Sequence, residues 1–165
     1  MTPPPSFPAS GLYRSSKAHP SQGESFPADC LIYVGYAQPE QHADPFIVRP
    51  HRNQHNRWYW QQPTTPLVEA EWAQSLLPLP REGYYTLSQA FLPPGGGRWH
   101  QGAIVQLGYD QQGRAILFIA EDRESDEENC LSFSDKGQRV KDELLPSLRW
   151  APILPVPKKD PGWIH

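Results

Sequence analysis

The chain has 165 residues, of which 38% are hydrophobic, and a formal net charge of −3. This balance lacks the basic excess that phosphate binding demands, and no apolar run approaches the roughly 20 residues of a membrane-spanning helix. The first residues, MTPPPSFPAS, carry neither the positive charge nor the apolar stretch of a secretion signal. We therefore expect a soluble, cytoplasmic protein with no nucleic-acid partner and no membrane partner.

Residues 1–10 are rich in proline and contain one large apolar side chain, Phe7. Such a segment cannot bury enough apolar surface to order itself. We expect residues 1–10 to be a disordered or loosely docked arm. Proline is abundant throughout, at 20 residues, which favours short strands and turns over long helices.

An internal repeat follows the arm. The segment Gly11–Ala18 (GLYRSSKA) resembles Gly83–Ala90 (GYYTLSQA), and Leu31–Tyr36 (LIYVGY) resembles Ile104–Tyr109 (IVQLGY). Further matches keep the same order and nearly the same offset, about 72 residues, which generic strand alternation does not explain. We interpret the chain as two copies of one module.

Each copy shows β-branched and aromatic residues in short runs bounded by turn formers, which is typical of strands. The predicted strands lie near 12–18, 31–36, 46–49 and 57–61, and near 84–90, 104–109, 115–120 and 130–133 in the second copy. Apolar residues spaced four apart then predict a short helix in each copy, with Val68, Trp72 and Leu76 on the buried face of the first. In the second copy Pro146 should end the helix early.

This pattern of short strands and a terminal helical turn in about 70 residues is similar to the SH3-like barrels, a broad structural class. The predicted fold is all-β, mainly β with short helical turns, built as two tandem SH3-like small barrels packed together. The first barrel should span 11–80, the second 81–157 and a C-terminal tail 158–165, with the prolines of 77–82 stiffening the connector. A meander sheet with a helix on one face is the alternative.

No catalytic or cofactor signature stands out. Cys30 and Cys130 are too few for a disulfide framework, and Gly95–Gly97 lacks the remaining residues of a phosphate-binding loop. His42, His51 and His55 are only weak metal candidates, because a zinc site needs three or four converging ligands. We expect no bound metal, no cofactor and no enzymatic activity, although an unfamiliar active site stays open.

The two copies differ in charge at one place. Residues 49–55 (RPHRNQH) are basic, whereas residues 121–128 (EDRESDEE) are strongly acidic. These loops could meet complementary partners or each other in a head-to-tail dimer. The sequence leaves a monomer and a homodimer equally open.

Aromatic residues outside the predicted cores suggest a binding surface, since such residues often anchor partners. The predicted contact residues are Tyr33, Tyr36, Tyr59, Trp99 and Tyr109. They favour a non-enzymatic module that binds a protein or peptide. The alternative is a regulatory protein that binds a small molecule or metal in the cleft between the copies.

Overall fold

Antiparallel strands make up most of the regular structure in residues 6–121 and 132–151, which the computed structural model describes. The strands of the first half are β1 (Gly11–Arg14), β2 (Leu31–Gln38), β3 (Ala43–Val48), β4 (Pro50–Gln54), β5 (Arg57–Trp60), β6 (Thr65–Pro66) and β7 (Leu77–Leu79). Those of the second half are β8 (Gly83–Leu87), β9 (Ile104–Tyr109), β10 (Ala115–Glu121), β11 (Ser132–Phe133), β12 (Gln138–Arg139) and β13 (Leu148–Trp150). One α-helix, α1 (Ala70–Gln74), and two 3₁₀ helices, Pro39–Gln41 and Asp142–Ser147, complete the described elements.

The strands form two larger sheets and a separate hairpin. The first sheet has the order β6-β3-β2-β1-β7. In the second sheet β10, β9, β8 and β13 follow one another, and both β11 and β12 pair with β10. In both sheets the last strand returns to pair with the first, after a helical turn. Strands β4 and β5 pair only with each other among the described strands.

Strand β2 is buried on both faces, and this property ties the two sheets together. Successive side chains of a strand point to opposite faces, so Leu31 and Ile32 point apart although neither is exposed to solvent. Ile32 belongs to the first core, whose buried members all come from the first half of the chain. Leu31 and Leu12 instead belong to the second core, together with residues of β8, β9 and β10.

Other first-half residues also complete the second core. Tyr33, Trp58 and Trp60 pack against it, so side chains from β2 and from the β4–β5 hairpin cover apolar surface of the second half. The first core includes no second-half residue among its described members. The second core is therefore shared between the halves, whereas the first is built from one half alone.

Hydrogen bonds and an ion pair also join the halves. The backbone N–H of Leu31 donates to the carbonyl of Gln111 at 2.9 Å, which lies in the β9–β10 turn. Arg14 pairs with Asp142 and donates to the carbonyl of Gly113. Gly113 has a left-handed φ of 73°, and a side chain there would press on Arg14. The contact thus depends on glycine at this position.

The N-terminal arm contacts the first core where it is described. Phe7 packs against this core, and the carbonyls of Pro8 and Ala9 accept hydrogen bonds from Tyr36 and Tyr13. These contacts dock residues 7–9, which corresponds to the docked form of the expected arm. Residues 1–5 and the tail 158–165 lie outside the described residues.

Two local predictions are corrected. Leu77–Leu79, expected in the connector, is strand β7 and pairs with β1, which shortens the connector to 80–82. The first helix begins at Ala70, because Pro66 lies in β6 beside Phe46. Val68 is consequently outside the helix and 70% exposed.

The prediction of a mainly β protein with short helical turns is confirmed. The finer prediction of closed barrels is not, because neither strand path closes on itself within residues 6–121 and 132–151. No helix in these residues has the length and apolar character to cross a membrane.

Candidate functional site

Two grooves occupy corresponding places in the halves of the chain. Each lies between the long loop that joins the first two strands and the helical turn before the last strand. The first groove has a volume of about 480 Å³ and the second about 590 Å³. The first is lined by residues of 17–20 and 69–75, and the second by residues of 89–94 and 139–144.

The first groove is lined by side chains that hydrogen-bond to the long loop. Trp72 is buried and donates its indole N–H to the carbonyl of Lys17 at 3.0 Å. His19 Nδ1 accepts the N–H groups of Ser21 and Gln22, so the ring proton lies on Nε2, 3.0 Å from Glu69 Oε2. These two atoms are not aligned as a hydrogen bond, but Ser21 donates its hydroxyl to the other oxygen of Glu69 at 3.2 Å, so the Glu69 carboxylate has partners within the groove.

The surroundings of the Glu69 carboxyl change its pKa. Burial raises its pKa, but hydrogen bonds from its own backbone N–H and from Ser21, together with the nearby His19, outweigh this effect. The net result holds the pKa of Glu69 below its ordinary value. The carboxylate stays charged at neutral pH and links α1 to the long loop.

The second groove keeps apolar surface open. Its lining includes five apolar residues: Phe91, Leu92, Pro94, Val140 and Leu144. Leu92 is 70% exposed, which is costly for a large aliphatic side chain on a protein that leaves it uncovered. Contiguous apolar surface rimmed by polar residues is typical of an interaction site, and Leu92 adjoins the four other apolar residues of this groove.

Backbone pairing holds the walls of the second groove. Phe91 and Trp99 form a bridge within the long loop, with N–H to carbonyl distances of 2.9 and 2.8 Å, and their rings meet edge to face. Opposite them, the N–H of Val140 donates to the carbonyl of Ala115. Because both walls are anchored, the groove exists before any ligand binds.

The rim of the second groove is charged. Arg139 donates to Asp110 at 3.3 Å, and exposed Lys141 and Glu143 complete the rim. Lys141 makes no ion pair with a residue that the structure describes. An acidic group of a ligand could therefore pair with Lys141.

The five predicted contact residues do not form one site. Trp99 is half-buried behind the second groove. Tyr59 is 51% exposed on the β4–β5 hairpin, where it alternates with the half-buried Trp58 and Trp60. Tyr33 is half-buried beneath that hairpin, with its ring 5.5 Å from the ring of Trp60.

Tyr36 and Tyr109 lie in the first and second cores rather than on the surface. Burial is the largest cause that raises the pKa of both hydroxyls. Each hydroxyl donates to a carbonyl, that of Pro8 or Pro80. These contacts remove the reason for expecting the two residues in a surface site, and we leave them out of the proposal below.

The weak metal candidates are dispersed. His42 follows the first 3₁₀ helix with its ring beside Tyr36, whereas His51 is in β4 and His55 in the turn after it. Within residues 6–121 and 132–151, no three potential ligands converge on one point. Cys30 is buried and free, and Cys130 lies outside the described residues.

A cleft between the two halves was the predicted alternative site. Two cavities lie between the halves: one of about 560 Å³ beside Asp29 and Gln112, and one of about 310 Å³ lined by Arg14, Asp142 and apolar residues such as Leu145. Arg14 lowers the pKa of Asp142 by hydrogen bonding and by its charge. Since these two groups satisfy each other, the cleft offers a ligand less unpaired charge than the rim of the second groove does.

The residues of the second groove escaped the sequence interpretation. One feature of the sequence could have indicated this groove. Leu92 is a large apolar residue within a loop of proline and glycine, Phe91–Gly95, where no adjacent strand or helix of the loop can cover it.

Comparison with known proteins finds no matching family model, no matching curated protein and no matching solved structure.

Proposed function

We propose that this protein is a non-enzymatic interaction module that binds an extended peptide segment of a partner protein in the second groove. The observation that carries this proposal is Leu92, which leaves 70% of its surface exposed inside an apolar groove. Burying one such side chain contributes about 1.5–3 kcal/mol. A peptide that covered Leu92 would gain this energy without reshaping the site.

The rim and lining indicate the chemistry of the peptide. Apolar side chains of the peptide would contact Phe91, Leu92 and Val140, and a carboxylate beside them would pair with Lys141. We expect a short motif that combines one or two large apolar residues with an acidic residue. Trp99 would support the site by holding Phe91 in place rather than by touching the peptide.

We also propose that each half of the chain is a copy of one SH3-like module, divided near residue 80. The shared connectivity of the sheets supports this division. So do hydrogen bonds at matched positions: Tyr13 donates to Ala9 as Tyr85 does to Arg81. The two grooves then derive from one ancestral site, and the second has the more apolar lining.

A variant of Leu92 tests the binding proposal. Peptides selected by the full-length protein from a random library should bind the Leu92→Glu variant at least about ten-fold more weakly, because the apolar contact is lost. Isothermal titration measures the affinity. The unfolding free energy should change by less than about 0.5 kcal/mol, since the side chain is on the surface.

The matched control is Val68→Glu, because Val68 is also 70% exposed but does not line the second groove. This variant should bind the selected peptides as the unaltered protein does. Equal affinity for Leu92→Glu and the unaltered protein would contradict the proposal. So would a library that yields no binding peptide.

A further inference from the structure

The β4–β5 hairpin carries a second, separate surface. We propose that its outer face and the free edge of β4 bind an acidic, extended segment of a partner protein. Residues 49–57, RPHRNQHNR, contain three arginines and two histidines and no acidic residue. The chain as a whole has a net charge of −3, so this segment differs in sign from the chain that carries it.

The outer face of the hairpin combines charge with an aromatic ring. Arg52 lies opposite Tyr59, and Gln54 lies opposite Arg57. All four side chains are exposed. The guanidinium carbon of Arg52 lies over the Tyr59 ring, 4.9 Å from its centre. This contact holds the guanidinium on the outer face of the hairpin. Arginine binds carboxylates with two parallel hydrogen bonds, so this face suits glutamate or aspartate side chains.

The inner face holds the hairpin in place. Trp58 donates its indole N–H to the carbonyl of Tyr109 at 2.7 Å, and Asn56 donates to the side chain of Gln106 at 3.1 Å. His55 and Asn56 both have left-handed φ values, 52° and 61°, as a two-residue hairpin turn requires. A partner would therefore meet a surface already held in its binding shape, which lowers the entropic cost of binding.

One edge of the hairpin is open. In a hairpin with a two-residue turn, Gln54 and Arg57 close the hydrogen-bonded pair, so the backbone groups of Asn53 and Trp58 point outward. On β5 the N–H of Trp58 donates to Glu82 at 3.2 Å. On β4 the backbone of Asn53 has no partner among the described residues. A partner strand could add to this edge through main-chain hydrogen bonds.

An acidic protein segment fits this surface better than a nucleic acid does. Single-stranded nucleic acids bind along rows of stacked aromatic residues and cationic grooves. Here one aromatic ring, Tyr59, is exposed on the outer face, so the hairpin offers no row of rings on which successive bases could stack.

The test uses the full-length protein and a fluorescent ten-residue peptide that alternates glutamate and threonine. We expect binding by fluorescence anisotropy, about ten-fold weaker for Arg52→Glu. The control Arg149→Glu makes the same charge change at another exposed arginine and should retain affinity within about two-fold. The same peptide with alternate backbone nitrogens methylated should bind at least about ten-fold more weakly, because it cannot pair with β4.

Three outcomes would overturn this inference. They are no binding of the acidic peptide, equal loss in Arg52→Glu and Arg149→Glu, or tighter binding of oligothymidylate than of the peptide. The inference does not rest on the groove proposed above: the Leu92→Glu variant should bind the acidic peptide normally. The two proposals can therefore fail separately.

Discussion

Replacing Leu31 by alanine should lower the unfolding free energy by about 2–5 kcal/mol, the range for large aliphatic residues deleted from protein cores. Leu31 is 0% exposed and lies on a first-half strand, but it packs in the second core. The cavity would form where β2 meets the second half, among residues that cannot move without disturbing the hydrogen bond from Leu31 to Gln111.

Urea unfolding followed by circular dichroism measures this change. The control is Leu77→Ala, a first-half leucine that is 43% exposed, which should cost far less because little surface is uncovered. A loss for Leu31→Ala below about 1 kcal/mol would mean that β2 is not packed on both faces.

Replacing Glu82 by glutamine should make the protein more stable above neutral pH. Glu82 lies in the connector between β7 and β8, and one carboxyl oxygen accepts the N–H of Trp58 while the other has no partner. Burial outweighs this hydrogen bond and the charge of Arg57, and raises the pKa of Glu82 from 4.5 to about 7. The folded protein thus favours the protonated carboxyl.

The direction of the pH effect follows from this pKa. Below about pH 4.5 the carboxyl is protonated in both the folded and the unfolded chain, so its ionisation does not lower the unfolding free energy. Between about pH 4.5 and 7 the unfolded chain ionises first, so the unfolding free energy falls with rising pH, by about 3 kcal/mol in total. Above about pH 7 both states are ionised and the loss stays constant.

Glutamine keeps a carbonyl oxygen for Trp58 and carries no charge. Glu82→Gln should therefore match the unaltered protein near pH 4 and exceed it by up to about 3 kcal/mol at pH 8. Chemical unfolding at both pH values measures the difference. Glu71→Gln, at an exposed position of α1, is the control for the same change of residue type on the surface. A difference of the same size at pH 4 and pH 8 would exclude ionisation of Glu82 as its cause.

The sequence predicts the strands that are rich in β-branched and aromatic residues. Strands β2, β5, β9 and β10 are predicted correctly because each is a short run of such residues bounded by turn formers. The sequence does not predict strand β4, because its residues, Pro50–Gln54, are mostly polar. They form a strand only by pairing with Trp58 and its neighbours in β5. Long-range pairing of this kind leaves no periodic signal within the segment itself.

The candidate site was harder to predict than the strands. Its walls are Leu92 and its neighbours on one side and Val140 on the other, about 50 residues apart in sequence, and no local pattern shows that they meet. Tyr36 and Tyr109 misled for a related reason: the carbonyls of Pro8 and Pro80 that satisfy their hydroxyls come from distant turns. Tyr59 was placed correctly, because strand alternation alone decides its direction.

The dependence of the second half on the first is tested most directly by residue-resolved hydrogen exchange in two neighbouring variants, Leu31→Ala and Ile32→Ala. Both residues are fully buried on β2 and point to opposite cores. Leu31→Ala should reduce the amide protection of β10 while β3 keeps its protection, whereas Ile32→Ala should reduce both. The result that would contradict the account is an equal loss of amide protection in β3 and β10 of Leu31→Ala. The first core would then depend on the second, instead of being built from the first half alone.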